Sequence, residues 1–192
     1  MRANPSSGAE REQGADAALR QLLAKDAIRQ VLHTLTRGQD RLDRDAITSG
    51  YWPDAIDDHG VFRGSPPEFA DFAIAALAQF AASHHVLGQS DIVVEGDVAH
   101  SETYVHAHHV SNAPDGTITD DVEGLRYLDR FERRAVGETA EWRIARRTLV
   151  WDWSYRICAG DARALPDGCT LGRRDKEDFV YDWLSAAAVG QR

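Results

Sequence analysis

Along residues 15–37 the apolar positions Leu19, Leu22, Leu23, Ile28, Val31, Leu32 and Leu35 recur at mixed spacings of three and four. That period predicts an amphipathic helix, with Gly38 as its stop and Asp40 in the turn that follows. A second, short helix is expected over 43–51 with Asp43 as its N-cap, and a short strand over 56–62. Ser65-Pro66-Pro67-Glu68 has the spacing of a capping box with proline in the first turn. It opens a helix carrying Phe69, Phe72, Ile74, Leu77 and Phe80. After Ser83 the texture changes to strands. Residues 86–95 and 98–110 flank the turn Glu95-Gly96-Asp97 and read as a hairpin. Residues 124–134 and 141–153, rich in aromatic and β-branched side chains, are two further strands. An irregular segment over 156–174 and a last helix over 175–188 complete the order. Helices first and an antiparallel meander after them predict an α+β fold, a curved sheet around a helix with an apolar cavity inside the cone.

Length and charge narrow the class. At 192 residues the chain makes one domain with some tail to spare, large enough to fold without disulfide or metal staples. The expected divisions are a disordered lead-in over 1–14, the folded domain over 15–155 and a C-terminal extension over 156–192. No apolar run reaches the roughly 20 residues of a membrane span. The opening MRANPSSGAEREQGADA has no apolar stretch of the kind a signal peptide needs. Cys158 and Cys169 read as reduced thiols of a cytoplasmic protein. A net charge of −9 argues against a nucleic-acid partner, which calls for a basic face. Six of the eight histidines fall within the 26 residues from His84 to His109, and this cluster is where chemistry is expected.

Seven segments carry a resemblance. They are Lys25-Asp26-Ala27-Ile28-Arg29-Gln30-Val31-Leu32, Gln39-Asp40-Arg41-Leu42-Asp43, Tyr51-Trp52-Pro53-Asp54-Ala55, His84-His85-Val86-Leu87-Gly88-Gln89, Gly96-Asp97-Val98-Ala99, Arg126-Tyr127-Leu128-Asp129-Arg130-Phe131-Glu132-Arg133 and Trp142-Arg143-Ile144-Ala145-Arg146-Arg147-Thr148. In order, over residues 20–153, the chain resembles the SnoaL-like branch of the nuclear transport factor 2-like (NTF2-like) superfamily. That branch includes scytalone dehydratase, bile acid 7α-dehydratase and the lindane dehydrochlorinase. The resemblance implies a cone-shaped barrel with N-terminal helices packed in a curved antiparallel sheet. It also implies a dyad, in which Asp40 orients His85 and His85 takes a proton from the substrate. A carboxylate on one imidazole nitrogen fixes the tautomer and leaves the other nitrogen as the base. The bland alternative is that Asp40 caps a turn and His85 caps the sheet.

By the same resemblance His108 is a polar wall of the cavity, although alternation on its strand leaves a subunit interface open as its destination. His100, Glu102, Tyr104, His106 and His108 share one face of that strand, and Ala99, Ser101, Thr103, Val105, Ala107 and His109 share the other. Arg147 is expected on the face of Ala145, Leu149, Trp151 and Trp153. There it would stabilise a departing group or an oxyanion, or pair structurally with Asp40, Asp129 or Asp152. Tyr127, Trp52, Tyr104 and Leu35 are the candidate substrate-binding positions. Leu35 stands where the bile acid enzyme has a tyrosine, so the general acid must come from elsewhere, with His108, Tyr104 and His33 as candidates.

A metal site built on His106 and His108 with Glu102 or Glu123 is the competing reading, but the spacing of metal-binding β-barrels is missing and no metal is assigned. No nucleotide fingerprint or hydrolase elbow occurs. The expectation is a cofactor-independent lyase of the dehydratase kind, acting on a small apolar ring-containing substrate. Isomerisation or cyclisation through the same enolate, or ligand binding without chemistry, are the alternatives. A homo-oligomer through the sheet is expected, a trimer before a dimer, with no nucleic-acid or membrane partner. Phe179 and Trp183 in the extension would close the cavity mouth or reach a neighbouring subunit.

Overall fold

The computed structural model describes residues 6–159 and 167–181. Three helices, α1 (Ser6–Arg41), α2 (Arg44–Ser49) and α3 (Pro66–Leu77), combine with six strands. The strands are β1 (Tyr51–Asp58), β2 (Arg63–Gly64), β3 (Ala82–Glu95), β4 (Val98–Asn112), β5 (Ile118–Val136) and β6 (Thr139–Ala159). They form one sheet in the order β2-β1-β6-β5-β4-β3, parallel only between β1 and β6. The sheet curves over α1 and α3 and stays open between β2 and β3, which is the α+β cone that the element order implies.

Helix α1 outruns both of its expected ends. Residues 6–14, expected as a disordered lead-in, are helical, because extending an existing helix costs far less than nucleating one. At the other end the helix passes through Gly38. A Cβ there would stand 2.9 Å from both Ala46 Cβ and the Ile47 main-chain nitrogen. Gly38 therefore allows α2 to approach α1 rather than ending α1. The stop comes at Leu42, in the left-handed region at φ 54, where Asp43 N–H donates to Gly38 O over 2.8 Å. Asp40 consequently lies in the last turn of α1 and not beyond it. Of the apolar stripe, Ile28, Leu32 and Leu35 are fully buried, whereas Leu19, Leu22 and Leu23 are more than half exposed.

Asp43 caps α2, its carboxylate accepting from Ala46 N–H, and Ser65 and Glu68 form the capping box of α3. The strand expected over 56–62 begins earlier, at Tyr51, and ends at Asp58; residues 59–62 form the turn into β2. Strand β6 runs on through residues 156–159, which the sequence pattern left irregular. Of the helix expected over 175–188, the half from 182 on, with Trp183, lies outside the described residues; in the described half, 175–178 form a turn and helix begins at Phe179.

Register decides what faces inward. Across β4, β5 and β6 the inner face is built of layers: Ala99, Phe131 and Ile144; Ser101, Asp129 and Arg147; Thr103, Tyr127 and Leu149; Val105, Leu125 and Trp151. Small residues on β4 against large ones on β5 and β6 hollow the sheet on one side. Two bulges in β6, at Ala145 and Asp152, reset its alternation. Arg147 thus shares its face with Ile144, Leu149 and Trp151. Trp153, expected on that face, is turned to the outer side, where it meets His106 and Tyr155. Replacing Gly38 with valine forces α2 away from α1, and we expect a loss of roughly 1–3 kcal/mol, the usual cost of overpacking, measurable as a lower urea midpoint with an unchanged slope.

Candidate active site

The hollow end of the cone holds a cavity of about 220 Å³ between α3 and the inner faces of β3–β6. Its apolar wall includes Phe69, Phe80, Leu125 and Leu149, and its polar groups include His59, His85, His109, Glu123 and Tyr127. Two fully separate stretches of chain deliver the first pair. Asp40, in the last turn of α1, meets His85 near the start of β3, with Nδ1 of the ring 2.7 Å from Asp40 Oδ1. The main-chain N–H of His85 donates to both oxygens of the same carboxylate, at 3.1 and 3.2 Å. Asp40 thereby fixes the backbone and the ring of one residue together. With Nδ1 spoken for, the nitrogen left to act is Nε2.

Arg174 tightens this arrangement from the far end of the chain. Its guanidinium donates to the carbonyls of Asp40 (3.2 Å), Leu77 (2.9 Å) and Phe80 (2.7 Å) and to the Ser83 hydroxyl (3.0 Å). A cation at the C-terminal ends of α1 and α3 answers their unpaired carbonyls and dipoles. Burial draws the Arg174 pKa down while the charge of Asp40 opposes that shift.

His109, on the inner face of β4, stacks on Phe80 at 4.9 Å and meets His85 edge-on at 5.6 Å. Its Nε2 is buried without a hydrogen-bond partner among the described residues. Burial, reinforced by the nearby His85, pushes its pKa down to about 4, so the ring is neutral at pH 7. Burial also raises the Glu123 carboxyl. The Tyr127 phenol is held above its ordinary value, again by burial, and remains a donor. Gln39, in the turn of helix before Asp40, also lines the cavity with its Oε1 unpartnered among the described residues.

Several expected positions fall elsewhere. His108 is on the outer face, where its Nδ1 sits 2.8 Å from Asp120 Oδ2; a shift of one residue along a strand exchanges the faces, and His109 takes the inward place. Tyr104 is on the same outer face and 40% exposed. Trp52 donates to Glu132 O and lies between the guanidinium groups of Arg134 and Arg143, away from the cavity. Leu35 is packed in the main core. His33, with His84, borders a separate cleft on the other side of the dyad. Arg147 is sealed, forming a bidentate pair with Asp129 at 2.7 and 2.8 Å, both side chains having no exposure. Its guanidinium lies 3.8 Å from the centre of the Tyr127 ring, so Tyr127, and not Arg147, forms the cavity surface. Of the proposed metal ligands, His106, His108 and Glu102 lie outward with Glu102 bound to Arg126, while Glu123 faces in. No cluster of three metal-type side chains forms among the described residues.

The structure also supplies polar groups that the sequence reading passed over. His109 was visible as the end of the Ala99–Ala107 small-residue face. His59 lies in the turn after β1, inside the span the sequence pattern predicts as strand, and only the fold brings it to the cavity.

A curved sheet over N-terminal helices, with a histidine-lined hollow at one end, defines an NTF2-like α+β cone. Within that class the chain belongs to the SnoaL-like domain family, whose model matches residues 20–148. The hexachlorocyclohexane dehydrochlorinase LinA-type3 of Novosphingobium barchaimii is similar with a TM-score of 0.63 and 18% identity, over 78% of this chain and 99% of that one. A candidate scytalone dehydratase of Novosphingobium aromaticivorans gives 0.57 and 17%, over 82% and 99%. The Rv3472 D26N protein of Mycobacterium tuberculosis, of unknown function, gives 0.59 and 18%, over 70% and 75%. At these identities the likeness shows the fold. No curated protein matches the chain in sequence.

Two measurements check the electrostatics. Replacing Arg147 with leucine strands the buried Asp129 charge and is expected to cost about 3–5 kcal/mol in urea unfolding; leucine at both positions recovers much of that loss. His109 titrates near 6.5 when unfolded and at about 4 when folded. Its contribution to stability is therefore full above pH 6.5 and is lost as the pH falls toward 4. A His109→Asn variant is expected to lose less of its urea midpoint than the parent between pH 7 and 4.5.

Proposed function

We propose that the chain is a cofactor-independent lyase of the dehydratase kind, in which His85 Nε2 removes a proton next to an electron-withdrawing group of a small, apolar, ring-containing substrate. The observation that carries this reading is the double hold of Asp40 on His85, through ring and main chain, at the wall of a cavity. A carboxylate in that position fixes the imidazole tautomer and stabilises the imidazolium once the proton arrives. Neutral His109 and the protonated Tyr127 are placed to receive an enolate oxygen by hydrogen bonding. The cavity volume of about 220 Å³ suits a single-ring compound. SnoaL-like membership and the dehydrochlorinase and dehydratase neighbours support an elimination. Isomerisation or cyclisation through the same enolate differs only in where the proton is returned.

A cytoplasmic location fits the two exposed free thiols, Cys158 and Cys169; no helix among the described residues is long and apolar enough to cross a membrane. We also propose a homo-oligomer, a trimer ahead of a dimer. The ends of β5 and β6 reach past the cone and leave Trp153, Tyr155 and Ile157 more than 40% exposed, a surface suited to a second copy.

The test of the lyase reading is proton exchange. In D2O, NMR of a panel of single-ring ketones bearing β-hydroxyl or β-halide groups should show exchange or elimination by the parent protein. His85→Gln should reduce it by about 100-fold or more, the scale of one general base, with folding unchanged by circular dichroism. Exchange by neither protein, or equally by both, overturns the reading. Sedimentation of the purified chain reads the oligomer, with a single monomeric species as the opposing result.

A further inference from the structure

A second carboxylate–histidine pair faces the same cavity. Asp57, on β1, is fully buried. It accepts from the Tyr51 hydroxyl at 2.5 Å and holds Nδ1 of His59. The ring of His59 stacks on Phe69 at 4.6 Å and lines the cavity beside it. The turn that carries it is fixed by its own hydrogen bonds: His59 N–H donates to Phe62 O (2.8 Å) and Val61 N–H to His59 O (2.9 Å). Gly60 supplies the left-handed residue, φ 77, that this turn requires. With Nδ1 committed to Asp57 and no hydrogen bond on Nε2 among the described residues, Nε2 is the nitrogen available to a ligand.

The two pairs are not electrostatically alike. Asp40 lies close to the Arg174 cation and accepts the main-chain N–H of His85 through both oxygens, so it has partners besides the ring of His85. Asp57 has only Tyr51 and His59 as hydrogen-bonding partners among the described residues. The guanidinium of Arg147, the residue opposite Asp57 on β6, is bound bidentately to Asp129. His59 is therefore the partner through which the buried Asp57 carboxylate can act on a molecule in the cavity, by way of Nε2.

From this asymmetry we infer that His59 is the catalytic acid that shares the cavity with His85, and that the substrates are β-hydroxy carbonyl compounds. The inference rests on the lyase reading and assigns the leaving group within it. His85 Nε2 takes the α-proton, and that C–H electron pair forms the C=C bond. The C–O bond breaks toward oxygen, and His59 Nε2–H gives its proton to that oxygen so that water departs. Solvent then takes the proton from His85 and returns one to His59, and the net change is loss of water alone. A halide leaves as a stable anion and has little use for such an acid, whereas a hydroxyl requires one.

The test compares 4-hydroxy-4-phenylbutan-2-one with its 4-chloro analogue, which share the acidic C–H and differ in the leaving group. His59→Gln is expected to lower kcat/KM for loss of water by about 100-fold or more, and to lower loss of chloride at least tenfold less. His85→Gln lowers both alike. Equal losses from His59→Gln on the two compounds overturn the assignment while leaving the lyase reading standing; no elimination of either compound by the parent overturns the substrate class. A binding measurement needs no turnover: calorimetric titration with phenol and with toluene. His59→Phe is expected to weaken phenol about tenfold and leave toluene unchanged. An unchanged phenol-to-toluene ratio shows that His59 does not meet a ligand oxygen and overturns the proposal by itself.

Discussion

The layer of Ser101, Asp129 and Arg147 across the middle of the inner sheet face governs what lies on either side of it. Burying two charges costs several kcal/mol per ion, and the attraction repays this only with good geometry and few loose polar atoms. Here the fork of the guanidinium meets both carboxylate oxygens and the Tyr127 ring covers one flat side of it, while Arg147 Nη1 and Ser101 Oγ have no hydrogen-bond partner among the described residues. On one side of this layer the chain packs a continuous core from α1, α2, α3 and the sheet, including Ile28, Leu32, Phe131 and Ile144. On the other side a smaller cluster of Val105, Ala107, Leu125, Tyr127 and Leu149 walls the hollow. The ion pair links side chains already set opposite each other by the β5–β6 ladder, and with the Tyr127 ring over it the cavity has a floor without needing a filled interior.

Around that floor the three histidines, and the carboxylate that holds His85, come from different kinds of element. A helix end brings Asp40, a strand start brings His85, a mid-strand position brings His109, and a tight turn after β1 brings His59. Each is held by something other than the cavity itself: main-chain hydrogen bonds for His85, aromatic stacking for His109, a buried carboxylate and a glycine turn for His59. Side chains supported in this way keep their directions when the cavity is empty, and so an incoming molecule need not organise them.

The elements were legible wherever local chemistry specifies them. The capping box at Ser65 and Glu68, the N-cap at Asp43 and the glycine turn between β3 and β4 all act over three or four residues, and each placed its element correctly. The pairing of Asp40 with His85 could be anticipated only through resemblance, since 45 residues separate them. What escaped depends on tertiary register. Gly38 looks like a helix stop until α2 is laid against it. His108 and His109 are adjacent and differ only in which face the β4 pleat presents. The bulges at Ala145 and Asp152 break a period that a pattern of alternating residues assumes to be unbroken. The pairing of Arg147 with Asp129 was one of three carboxylates open to it, and only cross-strand register selects among them.

Arg174 makes the site depend on a segment beyond the sheet. Four of its hydrogen bonds tie the ends of two helices to the start of β3, yet it is translated after every strand of the sheet. The strands can pair and the ion pair can close without it, but the carbonyls of Asp40, Leu77 and Phe80 are then left to water, so the setting of His85 depends on a segment that belongs to neither the sheet nor the helices it joins.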